Sequence, residues 1–447
     1  MVNFGKLPLV ISALLLILLA LYLGAYNGLF CFFLSYFKGD NPRYALWSPF
    51  IWVSLEYIRA HLFTGFPWVS LAYSQFKFIP IIQIVDIFGI YGLSFLIVFI
   101  NISFFFLLDF FFSFQPERIK SKFLINNIVA AVLLFSMAIG YGHWKKFDLA
   151  NRNEKKSLKV ALIQGNIDQN LKWDTKYQDE LLKIYKKLTL GAAEENIDLI
   201  VWPEAATPFY FPNDIANQRK LLQLGKESKT HILFGSPRYI KNDKDITLFN
   251  SAFLISPDEK ILNRYDKIHL VPFGEYVPLQ NILFFVDKMV SGIGNFDNGE
   301  EHTVLSFGES KFSVIICFEA IFPNLVRRFV KKGAGFLVNI TNDAWFGKSA
   351  ASYQHISMVA FRAVENRRPV IRAANTGITG IIDSRGNILA QTDIFVRDVI
   401  IGNILPEQNY QTIYTQYGDV FATSVLLVTL IFGVYSAKKK NSRPVSA

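Results

Sequence analysis

The sequence predicts an α/β domain joined to membrane-spanning helices, and the uneven distribution of charge is the first observation behind this fold class. Residues 1–144 contain 13 Asp, Glu, Lys and Arg, and the remaining 303 residues contain the other 69. The 447-residue chain is 51% hydrophobic and 15% aromatic. This composition excludes a disordered chain. It indicates a membrane half followed by a water-soluble half that is large enough for its own core.

Five apolar runs approach the roughly 20 residues that cross about 30 Å of hydrocarbon. They are Leu7–Phe37, Leu46–Phe63, Ile81–Phe114, Phe123–Tyr141 and Val420–Tyr435. The first run lacks a basic start and a small-residue cleavage site, so we expect a retained helix. The predicted domains are a bundle of about four spans over 1–144, an extracytoplasmic domain over 145–418, and a last span with a basic cytoplasmic tail over 419–447.

Basic residues in short loops predict the orientation of these spans. The residues that decide it are Lys38, Arg43, Arg118, Lys120, Lys122, Lys438, Lys439, Lys440 and Arg443. They place two loops and the C-terminus in the cytoplasm, so residues 145–418 are predicted to lie outside. Because the clearest basic runs flank or follow hydrophobic spans, the net charge of +10 indicates membrane orientation and argues against nucleic-acid binding.

One predicted span contains two opposite charges in apolar surroundings. Glu56 and Arg59 lie three residues apart on one helical face, and Gly65-Phe66-Pro67-Trp68 follows them. Ionisable residues inside a span are costly and are often functional. The two side chains have two interpretations, a structural ion pair or a site for a lipid head group.

From Lys159 onward, short apolar runs alternate with longer amphipathic runs. The predicted strands are Val160–Gln164, Leu199–Trp202, His231–Gly235, Ser251–Ile255, Phe312–Ile316, Phe336–Ile340, Val370–Ala373 and Gly380–Asp383. The predicted helices are Tyr177–Glu195, Asp214–Ser228, Asn324–Lys332 and Gln354–Arg367. This alternation predicts an α/β layered domain, whose strand ends are where functional side chains collect.

Two segments of this domain place ionisable residues at a strand end or in an ordered loop. Pro203 cannot donate to a central sheet, so the strand before it must stop and leave Glu204 at its C-terminal edge. The loop 265–278 contains two prolines and a glycine together with Lys267 and Glu275. Taken singly, each of these three side chains is also typical of a solvated surface position.

A third segment carries a candidate nucleophile. The predicted strand Phe312–Ile316 runs into Cys317, and Glu319 follows two residues later. A thiol at a strand-to-helix turn lies near main-chain N–H groups that can hold an oxyanion. The alternative is a small buried core cysteine. The other cysteine, Cys31, lies in an apolar run, so we expect no disulfide between them.

Glu204, Lys267 and Cys317, in this order along the chain, resemble the catalytic triad of the nitrilase superfamily. The resemblance implies an αββα sandwich in which Glu204 is the general base, Lys267 stabilises the tetrahedral intermediate and Cys317 is the nucleophile. The chemistry is consistent, because a thiol with a pKa of about 8.5 needs a nearby base and cation to react at neutral pH. No cofactor is predicted, and the six His show no metal-ligand spacing.

Helices on both sides of the domain narrow the resemblance to the apolipoprotein N-acyltransferase family. Further similar segments are Gly65–Trp68, Gln164–Asn166, Leu171–Asp174, Thr341–Lys348 and Asn375–Thr379. The resemblance implies a protein of the bacterial inner membrane with its catalytic domain on the periplasmic side. It implies acyl transfer from a phospholipid, typically phosphatidylethanolamine, to the α-amine of the diacylglyceryl-cysteine of an apolipoprotein. A thioester on Cys317 would be the intermediate.

The same resemblance implies supporting residues. Glu275 and Glu319 match acidic positions of the family's site, and Trp173 matches a loop tryptophan that activity requires. The main-chain N–H of Phe318 would help to hold the oxyanion, although an aromatic with a hydroxyl is common at this position. The chain is expected to begin about three helices late relative to the family. The alternative function is a membrane-tethered nitrilase-type amidase, in which water replaces the amine and a C–N bond is hydrolysed.

Overall fold

The computed structural model describes residues 9–37, 42–112, 121–150, 156–169, 171–241, 245–277 and 295–441. Contacts divide the chain into two compact units, with cuts after residues 12, 152 and 416. We call residues 13–152 with 417–447 the helical unit, and residues 153–416 the sheet unit. The orientation signals Lys38, Arg118, Lys120 and Arg443 lie outside the described residues.

The described helices are numbered in chain order. They are α1 (Leu9–Phe37), α2 (Ser48–His61), α3 (Ile79–Ile82), α4 (Val85–Phe112), α5 (Ser121–Ala150), α6 (Gln178–Ala193), α7 (Ile215–Ser228), α8 (Pro323–Lys331), α9 (Ala351–Asn366), α10 (Ile413–Tyr417) and α11 (Val420–Asn441). In the described part of the chain, α1, α4, α5 and α11 are long and apolar enough to cross a membrane. The protein therefore has the helices of a membrane protein.

The second predicted span differs from the helix observed there. Helix α2 has 14 residues, about 21 Å, which is shorter than the hydrocarbon layer. The 3₁₀ helix Pro42–Trp47 precedes it, and Pro49 occupies its first turn. After His61 the chain enters a turn, where Phe63 and Gly65 adopt positive φ angles of 58° and 81°. Apolar composition continues through this segment, but the backbone stops being helical.

Among the described residues, no ion pair within 4 Å joins Glu56 to Arg59 on α2, and each side chain bonds to another partner. Glu56 Oε1 accepts the main-chain N–H of Leu71 at 2.7 Å. Arg59 Nη2 donates to Ser70 Oγ at 3.3 Å. Both charged side chains therefore hold the end of the loop that contains Gly65-Phe66-Pro67-Trp68.

The sheet unit contains two six-stranded mixed sheets. Their strands are β1 (Leu158–Gln164), β2 (Leu199–Val201), β3 (His231–Lys241), β4 (Ile246–Ile255), β5 (Ile261–Asp266), β6 (Leu305–Phe307), β7 (Ser310–Ile316), β8 (Phe336–Thr341), β9 (Val370–Ala374), β10 (Gly380–Ile382), β11 (Ile388–Gln391) and β12 (Asp398–Ile404). The strand orders are β12-β1-β2-β3-β4-β5 and β11-β10-β9-β8-β7-β6. In each sheet, three parallel strands (β1-β2-β3 and β7-β8-β9) form the centre, and antiparallel strands flank them.

The two sheets pack against each other through β1 with β9 and β4 with β7, and helices cover their outer faces. Helices α6 and α7 bury a core that includes Tyr185 and Trp202, whose rings stack at 4.7 Å. The Trp202 indole N–H donates to Thr189 Oγ1 at 2.9 Å, which satisfies this polar atom inside the core. Helices α8 and α9 contact the second sheet. The sheet unit is therefore an αββα sandwich, and this prediction is confirmed.

Candidate active site

Glu204 lies just past the end of β2. The strand ends at Val201, and Pro203 follows. A Cβ on Gly235 of β3 would lie 2.7 Å from the Glu204 Cα, so only glycine lets this strand approach so closely. The Glu204 carboxylate is buried and accepts two hydrogen bonds. Asn250 Nδ2 donates to Oε1 at 2.8 Å, and the main-chain N–H of Asn342 donates to Oε2 at 2.9 Å.

Lys267 follows β5 and is buried beside two carboxylates. Its Nζ contacts the two oxygens of Glu275 at 3.0 and 2.9 Å, and Glu204 Oε1 at 3.5 Å. Burial alone would lower the pKa of Lys267, but the negative charges of Glu275 and Glu204 outweigh it and raise the pKa above its ordinary value. The ammonium therefore stays charged at neutral pH.

Glu275 is fixed by three different donors. Besides Lys267, the main-chain N–H of Val271 donates to Oε2 at 2.8 Å, and Asn250 Nδ2 donates to Oε1 at 2.7 Å. Asn250 thus bridges the carboxylates of Glu204 and Glu275. Asn250 is a residue of the site that the sequence did not predict. In the sequence, the one sign of Asn250 is that a polar residue interrupts the apolar run of β4.

Cys317 is the first residue after β7 and lies at a sharp turn. Its φ is +51°, a left-handed conformation that is unusual for a residue with a side chain, and the 3₁₀ helix Cys317–Ile321 begins there. Burial and the carboxylate of Glu204 raise the pKa of the Cys317 thiol, whereas the ammonium of Lys267 opposes this. The resting group is therefore a thiol that must lose its proton to a base before it attacks.

Glu319 joins the Cys317 turn to the loop after Lys267. Its Oε2 accepts the main-chain N–H of Ile316 at 2.7 Å. Its Oε1 accepts the Tyr265 hydroxyl at 2.7 Å and the main-chain N–H of Ile268 at 2.7 Å. Burial raises the pKa of Glu319, while these donors and Lys267 oppose the shift. One buried carboxylate thus holds together the two segments that carry Cys317 and Lys267.

Phe318 and Trp173 occupy more peripheral positions. Phe318 is partly exposed and packs against Phe322 at 5.2 Å and His269 at 6.1 Å. Burial lowers the pKa of His269 to about 4, so this imidazole is neutral. Trp173 is partly buried, and its indole N–H has no acceptor among the described residues. In that part of the chain, no hydrogen bond or ring contact joins Trp173 to the other candidates.

The turn after β8 contributes a buried ionic network that the sequence did not reveal. Asp343 Oδ2 accepts Arg372 Nη2 at 2.7 Å, and its Oδ1 lies 3.1 Å from His355 Nδ1. Arg372 also bonds to the side chain of Asn339. The neighbouring Asn342 N–H is a donor to Glu204, so this network supports the segment that holds the candidate base.

Every candidate with a catalytic charge or thiol lies at the C-terminal end of a strand. Glu204 follows β2, Cys317 follows β7 and Asn342 follows β8, three of the central parallel strands, while Lys267 follows β5. This edge is where sites form in α/β sheets. A buried carboxylate, a fixed ammonium and a thiol at a sharp turn can together perform acyl transfer through a covalent intermediate.

Two models of known families match the chain. Residues 159–414 match the model of the carbon-nitrogen hydrolase family. Residues 1–103 match that of the apolipoprotein N-acyltransferase N-terminal domain. The fold and the comparison together define a carbon-nitrogen hydrolase domain of the nitrilase type, carried by a membrane protein.

Full-length relatives narrow the class to one family. The chain is 43% identical over 440 residues to the apolipoprotein N-acyltransferase of Geobacter metallireducens, covering 98% of this chain and 83% of that protein. It is 33% identical over 455 residues to that of Haemophilus ducreyi, with 98% and 84% covered. Saccharomyces cerevisiae Nit3, a solved nitrilase-superfamily structure, is 20% identical with a TM-score of 0.42 and coverages of 56% and 90%. The chain belongs to the apolipoprotein N-acyltransferase family.

Proposed function

We propose that this protein transfers an acyl chain from a membrane phospholipid to the N-terminal α-amine of a diacylglyceryl-cysteine apolipoprotein, with Cys317 as the nucleophile. Family membership supports the reaction. The observation that carries the mechanism is the cluster of three groups: Glu204 Oε1 lies 3.5 Å from Lys267 Nζ, and the charges of both act on the Cys317 thiol.

The first half-reaction forms a thioester. Glu204 accepts the proton of Cys317 as the sulfur attacks the ester carbonyl of the phospholipid. Lys267 and the main-chain N–H of Phe318 stabilise the oxyanion of the tetrahedral intermediate. The C–O bond then breaks, and the departing lysophospholipid oxygen takes the proton from Glu204. This exchange leaves an acylated Cys317 and a carboxylate ready for a second cycle.

The second half-reaction moves the acyl group to nitrogen. The neutral α-amine of the apolipoprotein attacks the thioester carbonyl, and Glu204 accepts a proton from that nitrogen. The same donors stabilise the second oxyanion. When the C–S bond breaks, the Cys317 sulfur takes the proton back from Glu204. No cofactor is required, because an amine is a sufficient nucleophile toward a thioester.

The supporting residues act through position. Glu275 holds Lys267 in place through both carboxylate oxygens. Glu319 fixes the Cys317 turn against the loop that begins with Lys267. Phe318 contributes its main chain, since its side chain has no hydroxyl. Trp173 would order lipid at the edge of the site, which is consistent with its partly exposed ring.

We further propose phosphatidylethanolamine as the acyl donor and the bacterial inner membrane as the location, with the catalytic domain over 145–418 on the periplasmic side. Residues 1–144 and 419–447 would form the transmembrane parts. The four apolar helices support a membrane protein, and two lipid substrates explain why a hydrolase-type domain is attached to one. The orientation depends on the basic loop residues.

The experiment is intact-protein mass spectrometry of the detergent-solubilised chain after incubation with phosphatidylethanolamine. One added acyl mass should appear, and a diacylglyceryl peptide should remove it as the N-acylated product. Cys317→Ala should abolish the added mass, whereas Cys31→Ala, the matched control, should not change it. Glu204→Gln should slow acylation by about 10²–10⁴-fold and Lys267→Met by about 10²–10³-fold.

Two outcomes would contradict the proposal. Acylation of Cys317→Ala at the wild-type rate would exclude a thioester at this residue. Release of free fatty acid at the same rate with or without the peptide would make water the acceptor, as in an amidase-type hydrolase. A donor series with phosphatidylglycerol and phosphatidylcholine tests the proposed head group separately from the mechanism.

A further inference from the structure

Lys172 is a buried lysine beside the candidate base, and the mechanism above does not use it. Only 2% of the residue is exposed. Its Nζ donates to the main-chain oxygen of Glu204 at 3.1 Å, and this is the hydrogen bond that Lys172 makes among the described residues. Ala205, the residue after Glu204, has a φ of +45°. The main chain at Glu204 is therefore sharply turned and is not held by a regular strand.

The loop that carries Lys172 is itself anchored to the site. Gln169 Oε1 accepts Asn342 Nδ2 at 2.7 Å, and Ile167 exchanges two hydrogen bonds with the side chain of Asn375 at 2.9 Å each. Asn342 also donates its main-chain N–H to the Glu204 carboxylate. The base is thus held at two points, at its carboxylate by Asn342 and at its main chain by Lys172.

Burying this ammonium disfavours folding. Burial lowers the pKa of Lys172 to about 8, although the charge of Glu204 opposes the shift. The ammonium of Lys172 holds its proton more tightly in the unfolded chain than in the folded protein. At neutral pH, burial of the charged lysine therefore lowers the equilibrium constant for folding by a factor on the order of 10².

We propose that Lys172 is a positioning residue for Glu204, whose ammonium fixes the main chain of the general base so that its carboxylate stays within reach of the Cys317 thiol. This inference rests on the proposed function. A hydrogen bond from a charged donor is worth about 10- to 100-fold in a rate that depends on it. Loss of the ammonium should therefore slow proton removal from Cys317 by about that factor.

The proposal has a pH signature. With a pKa of about 8, Lys172 is half charged at pH 8, and its charged fraction falls further as the pH rises above this value. Thioester formation should therefore decline as the pH rises through 8–9. Lys172→Arg keeps a charged donor that does not titrate in this range. It should retain activity within about tenfold of wild type and remove the decline.

The test compares Lys172→Met, Lys172→Arg and Lys176→Met in the full chain. Lys176 lies four residues further on, in the 3₁₀ helix Thr175–Tyr177, and is exposed, so it controls for loss of a positive charge. Three quantities are measured: the first-turnover rate of thioester formation from phosphatidylethanolamine between pH 6 and 10, the alkylation rate of Cys317 by iodoacetamide, and Tm. Peptide mass spectrometry separates Cys317 alkylation from that of Cys31.

We expect Lys172→Met to slow thioester formation and alkylation about 10- to 100-fold at pH 7, with a Tm equal to or above that of wild type. Lys176→Met should match wild type in all three. Unchanged rates in Lys172→Met would overturn the proposal, and so would a lowered Tm or failure to fold, because these indicate a structural role. If wild type forms no thioester, the proposed function fails, and the alkylation and Tm measurements still decide the role of Lys172.

Discussion

Asp343→Asn removes the negative charge from the most deeply buried ion pair near the site. Asp343 and Arg372 are 1% and 0% exposed, and their side chains meet at 2.7 Å. Asp343 also accepts the Thr341 hydroxyl at 2.9 Å and contacts His355. Asparagine has nearly the same shape, so the substitution removes the charge and leaves the guanidinium of Arg372 buried without its counter-ion.

The expected cost follows from that unpaired charge. Breaking a buried pair by removing one partner typically costs about 3–5 kcal/mol. For a domain of this size, each kcal/mol lowers Tm by about 2–4 °C, so Tm should fall by about 6–20 °C. The assay is thermal unfolding of the detergent-solubilised protein. The control is Asp179→Asn, because Asp179 forms an exposed ion pair with Lys220 and should leave Tm unchanged within error.

The pH dependence gives a second check. Burial alone would raise the pKa of Asp343, but Arg372 and His355 hold it below its usual value. Its stabilising effect is therefore complete above the unfolded value of 3.8 and is lost as the pH falls through the folded value. Wild type should lose stability below about pH 4 more steeply than Asp343→Asn. Equal Tm values for Asp343→Asn and Asp179→Asn would refute the reasoning.

Two further predictions concern the site and the membrane. Asn250→Ala removes the hydrogen-bond donor that Glu204 and Glu275 share, so thioester formation should slow by at least about tenfold. A wild-type rate would mean that this hydrogen-bonded bridge between the two carboxylates is dispensable. Reporter fusions after Lys440 and within 150–160 should report opposite sides of the membrane, because the basic loops place the C-terminus in the cytoplasm. The same side for both would contradict a membrane crossing by α11, the span that lies between the two fusion points.

The sheet strands show which parts of the fold the sequence reveals. All eight predicted strands are present in the described residues, and they lie in the interior of the two sheets. The strands that were missed, β5, β6, β11 and β12, are the four sheet edges. An edge strand pairs on one side only, so its sequence is shorter or more polar. In β5, for example, Ile261–Arg264 are exposed, and the apolar pattern that marks a buried strand is absent.

The residues of the site also divide into those that the sequence predicts and those that it does not. Glu204, Lys267 and Cys317 could be proposed because each occupies a strand end or ordered loop whose local sequence signals a turn. Asn250 could not, because its role depends on sheet register. The pairing of Ser251 with Asp266 brings Asn250 beside Lys267, whose main-chain N–H donates to the Asn250 oxygen at 2.9 Å. Contacts of this kind join residues that are distant in sequence, and no local pattern records them.

In the proposed mechanism the two carboxylates beside Lys267 perform different tasks, and the distances are consistent with this division. Glu275 contacts the ammonium with both oxygens at 2.9–3.0 Å, whereas Glu204 contacts it with one oxygen at 3.5 Å. A base that formed the closer ion pair would lose part of its ability to accept a proton from sulfur or nitrogen. With Glu275 as the main counter-ion, Lys267 stays charged for the oxyanion and Glu204 remains available for protons. One carboxylate alone could not serve both half-reactions, since each requires a fixed cation and a free base at the same moment.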